Sequence, residues 1–76
     1  MNNRRRKAIT SIIDDLSKVK GQIEEIEAEE TEYLENIPEN LCDSERAEVA
    51  SAAVDALASA LQAVEECSEA LEESVG

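Results

Sequence analysis

Aromatic residues, glycine and proline are nearly absent from this 76-residue chain. Tyr33 is the only aromatic residue, and the chain has two glycines and one proline, Pro38. A core must therefore be built from Ile, Leu, Val and Ala. The scarcity of glycine and proline excludes a turn-rich β fold and leaves long uninterrupted segments for helix. The composition predicts one small all-α domain covering residues 1–76.

Histidine is absent altogether, and this removes the side chain most often used in acid–base catalysis and in metal binding. A di-iron helical bundle would need Glu-x-x-His motifs, and the chain also lacks a glycine-rich phosphate loop and an Asp-rich calcium loop. The two cysteines, Cys42 and Cys67, fit no metal or redox spacing. We therefore predict no catalytic, cofactor or metal site, and no disulfide between these two cysteines. Cys67 is interpreted as a small packing residue.

Long apolar runs are also missing. The basic start is followed only by the short segment 9–13 before Asp14 and Asp15, which is too short for the apolar part of a signal peptide. No run approaches the ~20 apolar residues of a membrane span. We expect a cytoplasmic protein with free thiols and no membrane partner.

Charge is strongly biased towards acid. The chain has 19 acidic and 7 basic residues, for a net charge of −12, and four of the bases lie together at 4–7. Such a chain should repel nucleic acid and attract basic protein surfaces. The cluster at 4–7 could bind phosphate, or it could be neutralised by the acids within 65–73 near the end of the chain. We favour neutralisation.

The first half of the chain has apolar residues in a regular alternation of three and four, which predicts a helix over about 3–35 with a heptad seam. Glu30 breaks the apolar rule at one a position and could set the register or mark an opening to solvent. Gly21 lies opposite the seam. The a and d positions expected to pack are Ile9, Ile12, Leu16, Val19, Ile23, Ile26, Tyr33 and Ile37.

A break follows at 36–43, where Pro38 cannot continue a helix. Asp43 or Ser44 could then cap a second helix over about 44–75. A connection this short returns the second helix antiparallel to the first. Ile37 and Leu41 are expected to turn inward at this end.

The second helix carries its own seven-residue repeat. Its larger seam residues are Val54, Leu57, Leu61, Val64, Leu71 and Val75. A second stripe of small residues, Ala53, Ala60 and Cys67, lies at the g position. Small side chains would let another helix approach closely, although alanine is also simply the best helix former. Because one shared seam leaves half of each apolar side chain wet, we predict a homodimer in the form of a four-helix bundle.

The hinge gives a resemblance to known proteins. The segment 36–41, Asn-Ile-Pro-Glu-Asn-Leu, followed by Ser44, Glu45 and Arg46, resembles a group of short uncharacterised proteins of phages, prophages and other mobile elements of Firmicutes-type bacteria. The resemblance extends over nearly the whole chain. It implies a small accessory protein of a mobile element and supplies no activity.

Two functions from different classes agree with these patterns. The first is a non-enzymatic helical interaction protein that self-associates. The second is an acidic mimic of nucleic acid, for example an anti-defence protein, whose glutamates in 24–35 occupy the basic surface of a nucleic-acid-binding protein. The first should tolerate salt, whereas the second should be strongly salt-sensitive.

Overall fold

The computed structural model describes residues 1–38, 40 and 45–76, and they form two α-helices. Helix α1 spans Asn3–Glu35 and helix α2 spans Glu45–Val75, with no strand in the described residues. The predicted all-α helical hairpin is confirmed, and α1 has the predicted bounds. The predicted caps Asp43 and Ser44, together with Leu41 and Cys42, lie outside the described residues.

The ends of α1 are set by hydrogen bonds of flanking residues. The extended Asn2 accepts a hydrogen bond from the Arg5 backbone N–H on its side-chain oxygen, at 2.9 Å. Its own carbonyl accepts from the Arg6 N–H at 3.1 Å. At the other end, the Asn36 N–H donates to the Glu32 carbonyl at 3.0 Å, just before Pro38 ends the helix. Asn2 thus satisfies one of the free N–H groups that open every helix.

Helix α2 begins with acidic residues, Glu45 and Glu48, in its first turn. Their charge is favourable at the positive end of the helix dipole. The helix ends where the Gly76 N–H donates to the Glu72 carbonyl at 3.0 Å. By length and composition, α2 also contains a segment apolar enough to cross a membrane. The core helix of a soluble protein can meet the same criterion, and 11% of this segment is buried in the hairpin.

The two helices pack against each other along their length as an antiparallel hairpin of 60 × 15 × 13 Å. One ion pair marks the register: Lys20 Nζ lies 3.0 Å from Glu65 Oε1. Among the described residues, only Ala47 and Ala50 are fully buried, and no large side chain is. The hairpin alone therefore has a very thin core.

The seam between the helices uses different rows of α1 from those predicted. The a row and the e row of α1 face α2, and their half-buried apolar members include Ile9, Ile13, Leu16, Ile23 and Leu34. This rotation of α1 buries part of Ile13 and Leu34 and brings Lys20 to Glu65.

The d row of α1 lies outside this seam and stays exposed. Its members are Ile12, Val19, Ile26 and Tyr33. Their predicted place in the seam of the hairpin is therefore wrong, because the e row, with its own apolar residues and the ion-paired Lys20, takes that place. Whether they pack in an oligomer stays a prediction. On α2, the predicted seam residues Val54, Leu57, Leu61, Val64 and Leu71 are half-buried.

Candidate self-association surface

One long face of the hairpin carries a continuous row of exposed large side chains, which we call the large-residue row. Its members are Ile12 (46% exposed), Val19 (39%), Ile26 (51%) and Tyr33 (45%). They are seven residues apart, so they repeat every ~10.5 Å along one side of α1. A lone exposed apolar residue is ordinary, but four at a regular spacing along one side of a helix mark a candidate contact surface.

The neighbouring side of α2 carries only small side chains, which we call the small-residue row. Its members are Ala53, Ala60, Cys67 and Ser74. Ala53 and Ala60 are half-buried at the edge of the seam, whereas Cys67 and Ser74 are exposed. The Ser74 hydroxyl donates to the Leu71 carbonyl at 2.6 Å, so its proton already has an acceptor. Its oxygen can therefore enter an apolar contact at low cost.

The two rows lie side by side on the same face of the hairpin. In a pair of antiparallel helices, the side of one helix that carries the g positions lies next to the side of the other helix that carries its g positions. The same holds for the two sides that carry the e positions. Lys20 and Glu65 are both e positions and are in contact, so they mark the opposite face. Tyr33 lines a groove with Arg46 and Val49 of α2, which belong to the g side. We call the face that carries both rows the apolar face.

The rows are also matched in height along the hairpin. We take the register from the Lys20–Glu65 contact, and equal seven-residue steps along antiparallel helices preserve it. Counted from this contact, each large residue is offset by about one residue, or ~1.5 Å, from a small one. The four level pairs are Ile12 with Ser74, Val19 with Cys67, Ile26 with Ala60, and Tyr33 with Ala53.

The opposite face is polar. Its central groove is lined by Ser17, Lys20, Glu65, Ser68 and Glu69, among others. The Glu65 carboxylate raises the pKa of Lys20 above its ordinary value of 10.5, through a hydrogen bond and then through charge attraction. Both side chains are about half exposed, 40% and 51%, so the pair is screened by solvent and contributes little to stability. The hairpin thus has one apolar and one polar face.

The remaining candidate residues are placed as follows. In the described parts of the chain, the basic cluster at 4–7 forms no ion pair, so the predicted neutralisation is not made by direct contacts. Glu30 is half-buried and lines the groove beside Tyr33 and Arg46. This agrees with a seam that opens to solvent at that point. Cys67 is a free, exposed thiol, and Cys42 lies outside the described residues. The described residues hold no cluster that could bind a metal ion.

Sequence reasoning identified the small-residue row but not the exposed position of the large-residue row. The signal was present in the e row of α1, where Ile13 and Leu34 repeat the apolar pattern and Lys20 can meet an acid on α2.

Comparisons with protein-family models, with curated proteins and with solved structures found no match to this chain. The functional proposal accordingly rests on the geometry of the hairpin.

Proposed function

We propose that this protein is a non-enzymatic helical interaction module that self-associates, with the hairpin as one half of a four-helix bundle. The observation that carries the proposal is the large-residue row, exposed along α1 beside the small-residue row of α2. A helix normally buries its apolar stripe against a neighbour. Here one stripe of α1 is covered by α2, and the second is left uncovered by the residues that the structure describes.

The surface area of the hairpin supports this proposal. It exposes 5751 Å². A compact monomer of 8.3 kDa exposes only about 4,600 Å². The hairpin therefore exposes roughly 1,000 Å² more surface to solvent than a compact monomer of the same mass. Burying the apolar face in a second copy would remove about half of this excess.

The size of the apolar face also suits a dimer. From Ile12 to Tyr33 the large-residue row is ~32 Å long, and the hairpin is 15 Å wide. The face thus covers about 500 Å² on each copy, or about 1,000 Å² in total, close to the lower limit for a specific interface. Because the face is flat and elongated, its best match is another flat, elongated helical pair.

Light scattering tests the proposal with matched variants. Wild type at tens of micromolar should have twice the mass of 8.3 kDa. Val19→Glu should give a monomer that keeps its helix content, since Val19 lies outside the seam of the hairpin. Ser17→Glu introduces the same charged side chain on the opposite face of the hairpin and should remain dimeric. A wild-type monomer with intact helix content would refute the proposal.

A second candidate function is an acidic mimic that binds the basic surface of another protein. It is favoured by the glutamates of the second half of α1, which form no ion pair within the described residues. Residues 14–76 carry 19 acidic and 3 basic side chains. Complexes of this kind should dissociate between about 0.05 and 0.5 M salt, whereas an apolar dimer should persist. Neither function predicts a gel shift of DNA or RNA, and such a shift, lost in an Arg4/Arg5/Arg6→Ala variant, would contradict the acidic mimic and make the basic cluster a binding site.

A further inference from the structure

Two hairpins that meet through their apolar faces can be related by a twofold axis in two ways. If the axis runs along the helices, α1 of each copy lies on α2 of the other. If the axis crosses the helices, α1 lies on α1 and α2 lies on α2. The two arrangements bring different side chains together.

We infer that the axis runs along the helices, so that the large-residue row of each copy packs into the small-residue row of the other. This inference rests on the proposed self-association and specifies its partner surface. Rotation about an axis along the helices does not shift any residue along the helix direction, so equivalent residues of the two copies lie at the same height. Each large side chain therefore meets the small one that is level with it in its own hairpin, for example Val19 against Cys67 and Tyr33 against Ala53 of the second copy.

Volume is the first reason for this choice. Facing layers pack without voids when large and small residues alternate across the contact. When its axis lies midway along the row, which gives the greatest overlap, the crossed arrangement instead sets Ile12 against Tyr33 of the second copy and Val19 against Ile26. It also sets small residues against small residues on the other side, Ala53 against Ser74 and Ala60 against Cys67. The large contacts would hold the layers apart, and the small side chains could not fill the space left between them.

Charge is the second reason, and it is independent of volume. Beyond the large-residue row, the exposed outer edge of α1 carries Asp15, Gln22 and Glu29. With the same midway axis, the crossed arrangement places Asp15 beside Glu29 of the second copy, twice in each dimer. With the axis along the helices, this acidic edge lies beside the uncharged outer edge of α2, which consists of Val49, Ala56, Ala63 and Ala70. Like charges are thus kept apart in only one of the two arrangements.

Mixed disulfide formation between chains of different mass tests the inference. All chains carry Cys42→Ser. The first chain keeps Cys67 as its only thiol, the second carries Val19→Cys with Cys67→Ser, and the third carries Ile26→Cys with Cys67→Ser. A disulfide needs Cα atoms within about 7 Å, so only directly facing positions should cross-link. Chains are mixed in pairs, oxidised and identified by mass spectrometry, with light scattering of each mixture before oxidation.

The expected main product is the mixed disulfide of the first and second chains, between Cys67 and the cysteine at position 19. A main product of the second and third chains would show the crossed arrangement and overturn the inference while leaving the dimer in place. Dimeric mass with neither product would also overturn it. Monomeric mass with neither product would overturn the proposed function together with the inference.

Discussion

Replacing Ile26 by alanine should weaken the dimer and spare the hairpin. Ile26 is 51% exposed in the hairpin. Full burial of an isoleucine side chain contributes about 1.5–3 kcal/mol, so the exposed half is worth about 0.8–1.5 kcal/mol per copy. The substitution occurs twice in a dimer and should cost about 1.5–3 kcal/mol of association free energy in total. At 1.4 kcal/mol for each factor of ten, the dissociation constant should rise roughly 10- to 150-fold.

Sedimentation equilibrium over a range of concentrations measures this change, and circular dichroism of the same samples checks the helices. Alanine is a better helix former than isoleucine, so helix content should not fall. Ser17→Ala on the polar face is the matched control and should leave the dissociation constant unchanged. The proposed dimer interface is refuted if Ile26→Ala leaves the dissociation constant unaltered, or if Ser17→Ala raises it to the same extent.

Three further predictions follow from the positions of particular side chains. In a Cys42→Ser chain, the exposed Cys67 thiol should react with a thiol reagent more slowly as protein concentration rises, since the dimer covers it; a rate independent of concentration would contradict this. Gly21→Ala should raise thermal stability by up to about 1 kcal/mol, because an added Cβ meets nothing within 4 Å; thermal unfolding followed by circular dichroism tests it, and a lower melting temperature would count against it. Because the folded-state pKa of Lys20 is raised by Glu65, the pair stabilises the fold below the ordinary lysine value of 10.5 and loses that contribution as pH rises through the raised pKa. Lys20→Gln should lack this alkaline loss in urea unfolding, and a Lys20→Gln chain that loses stability with rising pH as steeply as wild type would contradict it.

The sequence predicts the helices far better than the rotation of one helix against the other. Heptad spacing and Pro38 are local features, so the two helices and the break between them could be identified directly. The capping role of Asn2 was not predicted and is seen only in the structure. The choice between the d and e rows of α1 depends on which side chains α2 offers. That choice is tertiary, and it is set by partial burial of Ile13 and Leu34 together with the Lys20–Glu65 contact.

The candidate surface, too, could be predicted from the sequence only in part. The small-residue row could be predicted because Ala53, Ala60 and Cys67 recur in heptad phase within one helix. The exposure of the large-residue row could not, since it follows from the rotation of α1. That both rows share one face, at matched heights, depends on the antiparallel register, which only the folded hairpin supplies.

The most direct test of the account is a nuclear Overhauser measurement on a dimer made of equal amounts of isotope-labelled and unlabelled chains. Tyr33 is the only aromatic residue, so its ring protons are resolved without ambiguity. Filtering for contacts between labelled and unlabelled chains removes every contact within a hairpin. A twofold axis along the helices predicts a cross-peak between the Tyr33 ring of one chain and the Ala53 methyl group of the other. A cross-peak from the Tyr33 ring to Ile12 instead, or no contact between chains at all, would contradict it.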